Sequence, residues 1–252
     1  MLNRQTKRHK SIRQKDIDLR QRIHQLSEKY PRFGYRKIFD LLKTENFTVS
    51  RERIRLLRKQ EGLQVIKKQR KKRRPGQKTA LLCQAKHPHH VWSYDFVSDQ
   101  TVDGRRIRCL TIIDEYTRYC LMIHVGRSIT SNQVKGVLQQ LFPYWGKPVF
   151  IKSDNGPEFI SKEIRSWLKR SGIGIQYIEP GCPWQNCFNE SFNSIFRDGC
   201  LNRWLFYTVH EARRITEQWV SEHNHERPNG SLKGTTPSKY LEECEKNTQK
   251  AA

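Results

Sequence analysis

No stretch of the 252-residue chain is apolar for anything near the roughly 18 residues that mark a membrane span. No short apolar core follows a basic N-terminus as in a secretory signal. The expectation is a soluble, cytoplasmic protein with no membrane partner. Cysteine is too sparse and too irregular for a disulfide framework: there are seven, an odd number, and no Cys-x-x-Cys pair. Cys182, Cys187 and Cys200 cluster, but read as reduced thiols rather than a zinc site, and His87, His89 and His90 around Pro88 read as a solvated loop. Acidic residues are the other shortage. Asp and Glu number 25 against 48 Lys and Arg, a formal charge of +23.

That positive charge is unevenly spread. Residues 1–80 hold 26 Lys and Arg against 7 Asp and Glu, so the excess sits in the N-terminal third. A polyanion is the expected partner, nucleic acid ahead of anionic lipid. Residues 1–15 are polar and basic. Apolar spacing then predicts a helix from Asp16 to Tyr30, a second from Tyr35, and a third capped by Ser50. The third carries Ile54 and Leu57 inward and presents Arg51, Arg53, Arg55, Arg58 and Lys59. Three short helices with a basic last member fit a small all-α, helix-turn-helix-like domain over 1–64 that contacts DNA. A basic linker follows over 65–86. Lys67, Lys68, Arg70, Lys71, Lys72, Arg73 and Arg74 crowd into it, and such a block repels itself and suits phosphates.

From residue 87 the pattern changes. Strands are expected at 91–98, 106–113, 119–125, 148–152 and 174–178, with helices near 130–144, 158–171, 186–200 and 208–224. Three strands in sequence, followed by alternation with helices, imply a mixed five-stranded sheet flanked by helices over 87–205. Residues 206–252 add a C-terminal helix and a polar tail, frayed after Glu242.

The chemistry rests on three acids. Asp95 sits inside Val91-Trp92-Ser93-Tyr94-Asp95-Phe96-Val97, on the strand face opposite Trp92, Tyr94 and Phe96. Asp154 ends the fourth strand, and Glu190 follows after 35 intervening residues at the start of a helix. Brought together, they would repel by roughly 4 kcal/mol per pair at ~4 Å and an effective dielectric of 20. A divalent cation reverses that sign, and an all-oxygen set suits Mg²⁺ or Mn²⁺. Two ions ~3.5–4 Å apart, with DNA bound, would serve phosphodiester cleavage by water or strand transfer by a 3′-hydroxyl. Arg197, on the Glu190 side of its helix, is placed to hold a phosphate. Asn155 and Gly156 supply a tight turn.

These segments resemble the DDE transposases, specifically the OrfB-type subunit of insertion sequences with a retroviral-integrase-like core. The likeness lies in Pro31-Arg32-Phe33-Gly34-Tyr35-Arg36, in Trp92 to Phe96, and in Ile113-Asp114-Glu115-Tyr116-Thr117-Arg118. It continues in Ser153 to Phe159, in Trp184-Gln185-Asn186 through Asn193, and in His223 to Pro228. It implies an RNase H-like fold and catalytic, metal-holding Asp95, Asp154 and Glu190. It also implies Mg²⁺ with Mn²⁺ as substitute, and DNA contacts from Asn155, Gln185, Asn186 and Arg197. The implied partners are double-stranded transposon ends and target, a homo-oligomer on paired ends, and an upstream-frame helix-turn-helix and coiled-coil subunit, all in a bacterial, nucleoid-associated setting. Cys187 and Ser194 stand where the resemblance expects glycine. Gly199 replaces a glutamate inside a helix, a change costing about 0.8–1 kcal/mol against alanine. The competing reading is a DNA-binding regulator with a decayed core.

Overall fold

The computed structural model describes residues 14–65, 84–154, 156–178 and 183–251. The expectations for Lys67, Lys68, Arg70, Lys71, Lys72, Arg73, Arg74, Asn155 and Cys182 lie outside the described residues. The chain divides into two units, 1–73 and 74–252, which are treated separately.

In the first unit, α1 (Gln14–Lys29), α2 (Tyr35–Thr44) and α3 (Arg51–Gln60) close on Leu19, Ile23, Leu26, Tyr30, Phe33, Ile38, Leu42, Ile54 and Leu57. The Ser50 hydroxyl accepts the Arg53 backbone N–H at 3.2 Å, the expected N-cap. Arg58 departs from expectation. Instead of facing solvent it is 4% exposed. Its guanidinium donates to Ser27 Oγ at 2.9 Å, to the Phe33 carbonyl at 3.0 Å and to the Leu63 carbonyl. A buried charge needs its donors filled, and the chain on both sides of the three-helix core supplies the acceptors.

The second unit begins with β1 (Val91–Gln100), β2 (Arg106–Asp114) and β3 (Cys120–Gly126), an antiparallel meander. Helix α4 (Ser131–Trp145) starts at a full capping box between Thr130 and Gln133, then leads to β4 (Phe150–Ser153). Helices α5 (Pro157–Ile160) and α6 (Lys162–Arg170) precede β5 (Gly174–Tyr177). The single helix expected over 158–171 is therefore two, because Ser161 takes an extended conformation and caps α6 through the Ile164 N–H. A 3₁₀ turn (Pro183–Asn186) enters α7 (Cys187–Gly199), followed by α8 (Val209–His225) and α9 (Pro237–Ala251). Helix α9 runs through the tail expected to fray.

The sheet order is β3-β2-β1-β4-β5, with β4 and β5 parallel to β1. Strand alternation sorts the side chains into two cores. Trp92, Tyr94, Leu110, Ile112 and Ile151 meet α4 and α6 on one face. Val97, Ile107, Cys109, Ile113, Ile123 and Val125 meet Phe192 and Phe196 of α7 and Trp219 of α8 on the other. The histidines before β1 form a solvated loop only in part: His87 is exposed, whereas His89 Nδ1 accepts from Trp92 Nε1 at 3.2 Å and lies against Trp145, and His90 is buried.

Gly199 also reverses its sequence-based reading. A Cβ there would lie 2.9 Å from Trp219 Nε1. The glycine is what lets α8 pack its tryptophan against the end of α7. Helix propensity alone predicts that Gly199→Ala stabilises by about 1 kcal/mol, whereas overpacking predicts a loss of about 1–3 kcal/mol. The expected result is a lower melting temperature for Gly199→Ala, read by calorimetry; a rise would mean that Trp219 yields freely.

Candidate active site

Strand β4 pairs with β1 only over Val91 to Ser93, the last rung setting Ser93 opposite Lys152. Two residues further along each parallel strand stand Asp95 and Asp154. The two acids thus emerge side by side where the strands part, the position at which open α/β sheets hold ligands. Asp95 is half-buried and Asp154 is exposed. Burial, together with the charge of Asp154, pushes the Asp95 carboxyl up to about 6, against hydrogen bonds that pull it back. Those bonds are specific. Asp95 Oδ1 accepts the Phe96 backbone N–H at 2.7 Å, and Oδ2 accepts Asn193 Nδ2 at 2.8 Å and Asn186 Nδ2 at 3.5 Å. Asp154 Oδ1 accepts the Gly156 N–H at 3.0 Å. A Cβ on Gly156 would lie 3.0 Å from that same oxygen and 3.4 Å from the Phe159 ring, so a larger residue there crowds the turn.

Glu190 occupies the first turn of α7 and is exposed. Asn186, Glu190, Asn193 and Arg197 fall at i, i+4, i+7 and i+11, one stripe of the helix. Three of the four touch β1: both asparagines reach Asp95, and Arg197 Nη2 donates to the Ser98 carbonyl at 2.7 Å. Glu190 lies between them. The structure brings Asp95 and Asp154 together and sets Glu190 on the adjoining stripe. Among the described residues, no three His, Cys, Asp or Glu side chains already enclose an ion position.

Of the amides that tie α7 to β1, the sequence reading assigns Asn186 to DNA and leaves Asn189 and Asn193 unassigned. Asn189, fully buried, donates to the Tyr94 carbonyl at 3.3 Å and accepts from Ser93 Oγ at 3.1 Å. Thr111 Oγ lies 3.1 Å from both Asn193 Oδ1 and the Asp95 carbonyl. The available signal was Asn186, Asn189 and Asn193 at i, i+3 and i+7 on a helix whose neighbouring positions, Phe192 and Phe196, are core. Glu158, in the first turn of α5, pairs with Arg108, which lies 3.7 Å over the Phe96 ring.

Comparison with known proteins accounts for this arrangement. Residues 85–183 and 171–237 match two models of the integrase core domain, and 11–73 match an HTH-like domain. The insertion element IS476 uncharacterized 39.2 kDa protein of Xanthomonas euvesicatoria is 37% identical over 219 residues, 87% of this chain and 63% of that one. The insertion element IS407 uncharacterized 31.7 kDa protein of Burkholderia multivorans is 34% identical over 219 residues, 87% of this chain and 79% of that one. The chain belongs to the integrase-core transposase family of insertion elements. The HTLV-2 integrase catalytic core domain, solved in complex with magnesium, superposes with a TM-score of 0.51 over 62% of this chain and 97% of that one. At 19% identity that likeness establishes the fold, which is RNase H-like.

Within this integrase-core chain the residues expected to touch DNA are unequally placed. Arg197 is exposed, whereas the Asn186 amide is directed at Asp95 and Gln185 is buried. In the HTH-like unit Arg51, Arg53 and Arg55 are exposed on α3; Arg51 lies over the Phe39 ring and Arg55 bonds to Glu52. No helix of the described residues is long and apolar enough to cross a membrane.

A carboxylate that is half-buried beside a like charge is held at a cost to stability. Asp95→Asn should therefore match or exceed the wild-type melting temperature in metal-free buffer near pH 7.5. Asn193→Ala removes a neutral donor from Asp95 and should lower it, with a loss of about 1–2 kcal/mol. Thermal melts of both variants check this, and a marked loss in Asp95→Asn would contradict it.

Proposed function

We propose that the chain is the catalytic subunit of a DDE transposase, cutting the ends of an insertion element and joining the freed 3′-hydroxyl to target DNA. The observation that carries this is the Asp95–Asp154 pair at the parting of β1 and β4, with Glu190 on the α7 stripe that is hydrogen-bonded to Asp95. The donor set is all oxygen, and its two strand carboxylates raise one another's need for positive charge, which fits Mg²⁺ or Mn²⁺. Asp95, Asp154 and Glu190 would hold the ions, two per site once DNA is present. The HTLV-2 core, solved in complex with magnesium, supports the same choice. Bound there, divalent ions would supply Lewis-acid stabilisation of the scissile phosphate and a more acidic nucleophile.

The protein's own part is orientation. Asn193 and Asn186 fix the Asp95 carboxylate through Oδ2 and the Phe96 N–H engages Oδ1, which leaves the second lone pair of Oδ1 for the ligand. The Gly156 N–H fixes Asp154 in the same manner. Arg197, held by one carbonyl at the outer half of β1, can exchange that acceptor for a DNA phosphate, a stronger charge-assisted partner. Arg51, Arg53 and Arg55 of α3, with the basic residues Lys67 to Arg74, bind backbone phosphates and draw the double-stranded ends in. Asn155 completes the DNA contacts. The active species on paired ends is a homo-oligomer, assisted by an upstream-frame helix-turn-helix and coiled-coil subunit, in the bacterial nucleoid.

The test uses the full chain, labelled duplexes carrying the DNA that flanks its own gene, and Mg²⁺ or Mn²⁺. Nicking at the element ends followed by strand joining is expected, with both abolished by chelation. Glu190→Gln should lower the rate by several kcal/mol of transition-state stabilisation, on the order of a thousand-fold, while duplex binding persists. Equal cutting by Glu190→Gln would remove the third acid from the assignment. Binding without products, with the accessory subunit present, would favour a DNA-binding regulator.

A further inference from the structure

Beneath the three acids lies a buried polar centre with no place in the chemistry above. Glu115, directly after β2, is 2% exposed, and Lys152 of β4 is 3% exposed. Lys152 Nζ donates to Glu115 Oε2 at 2.9 Å. The Ser93 hydroxyl, opposite Lys152 in the β1–β4 register, is within hydrogen-bonding reach of Glu115 as well as of Asn189. Arg118 donates to the Glu115 backbone carbonyl and lies 3.7 Å over the Phe188 ring, and Lys152 Nζ is 5.9 Å from the same ring. Glu115 also donates its own N–H to the Val91 carbonyl at 3.0 Å, which joins it to the start of β1.

The positions form a pattern. Ser93 precedes Asp95 by two residues, Lys152 precedes Asp154 by two, and Phe188 precedes Glu190 by two. On a strand, residues two apart share a face, so Ser93 lies on the face of Asp95, and Lys152, opposite Ser93, belongs to the last residues of strand before Asp154 leaves β4. On α7, Phe188 is on the opposite rim of the first turn from Glu190 and anchors that turn between two cations. One buried acid thus touches or organises the foundations of all three elements that carry the site.

A role in stability alone accounts poorly for this arrangement. A buried ion pair pays desolvation on both partners, and apolar residues of similar volume are often as stable or more so. The Phe188 ring lines one side of the pair, and Arg118, whose charge also faces Glu115, keeps the Glu115 backbone carbonyl as acceptor when the side chains are replaced. What an apolar pair would not do is fix the two strands and the helix by directed bonds.

We propose that Glu115, Lys152 and Phe188 are positioning residues of the transposase site, a hub that sets the relative placement of Asp95, Asp154 and Glu190 and hence the affinity for the divalent ion. The proposal rests on the metal-site reading given above and extends it to residues that touch neither ion nor DNA.

The test separates stability from metal binding. Mn²⁺ alone is titrated by calorimetry into the full chain as wild type, as Asp95→Asn, as the Glu115→Leu/Lys152→Met double variant and as Phe188→Leu, each also followed through its melting temperature. Wild type should bind and Asp95→Asn should not. The double variant should melt within a few degrees of wild type or above it, yet bind Mn²⁺ at least tenfold more weakly. Phe188→Leu, which keeps most of the packing volume, should weaken Mn²⁺ several-fold with little change in melting, and it stands as the deciding variant if the double substitution does not fold. Wild-type affinity in Phe188→Leu or in a folded double variant, with Asp95→Asn inactive for binding, would overturn the hub alone. Equal binding by wild type and Asp95→Asn would overturn the metal-site reading and the hub with it.

Discussion

Two like charges held close at the splitting point of a sheet are the constraint from which the second unit takes its form. Asp95 and Asp154 stand two residues beyond the last rung that joins β1 to β4, and one of them is half-buried. Left alone, that arrangement favours separation of the strands or protonation of a carboxyl. The fold opposes both. The parallel strands are clamped below the acids by their ladder and by the Lys152–Glu115 pair, and the Asp95 carboxylate is met from above by amide donors of α7. The remaining deficit of positive charge is the reason a divalent cation suits the place.

Helix α7 performs two tasks with two sides of one surface. Phe192 and Phe196 bury against β2, β3 and α8, which supplies the association free energy. Asn186, Asn189 and Asn193 meet β1 through directed hydrogen bonds, which supply register. Apolar contact alone tolerates a slide or a rotation; an amide bonded to a named carbonyl or carboxylate does not. Glu190 inherits its position from that division of labour. The tight fit of Trp219 against Gly199 then holds the far end of the same helix.

Much of the fold was legible in the sequence because its elements are strongly patterned. The β2 run is apolar enough to mark a central strand, the cap at Ser50 is conventional, and the three acids lie in distinctive local sequence. What escaped are features decided by tertiary partners. Arg58 looks like any surface arginine in a basic helix until Ser27, Phe33 and Leu63 converge on it. Gly199 looks like a defect until the Trp219 ring is placed. The asparagines of α7 are polar residues beside a core stripe, and nothing local says whether they face water or a strand. The break at Ser161 and the persistence of α9 depend respectively on a cap and on contacts such as that of Tyr240 with Tyr116, neither of which periodicity registers.

The central claim is that the α7 stripe delivers Glu190 to the ion held by the two strand aspartates. Anomalous diffraction from crystals of the full chain grown with Mn²⁺ tests it most directly. The account predicts a metal peak between Asp95 and Asp154, with carboxylate oxygens at roughly 2.0–2.2 Å, the distances expected for a small hard cation, and with Glu190 turned onto it. A peak bound by the two aspartates while Glu190 stays in solvent, or no peak at this position, would contradict it.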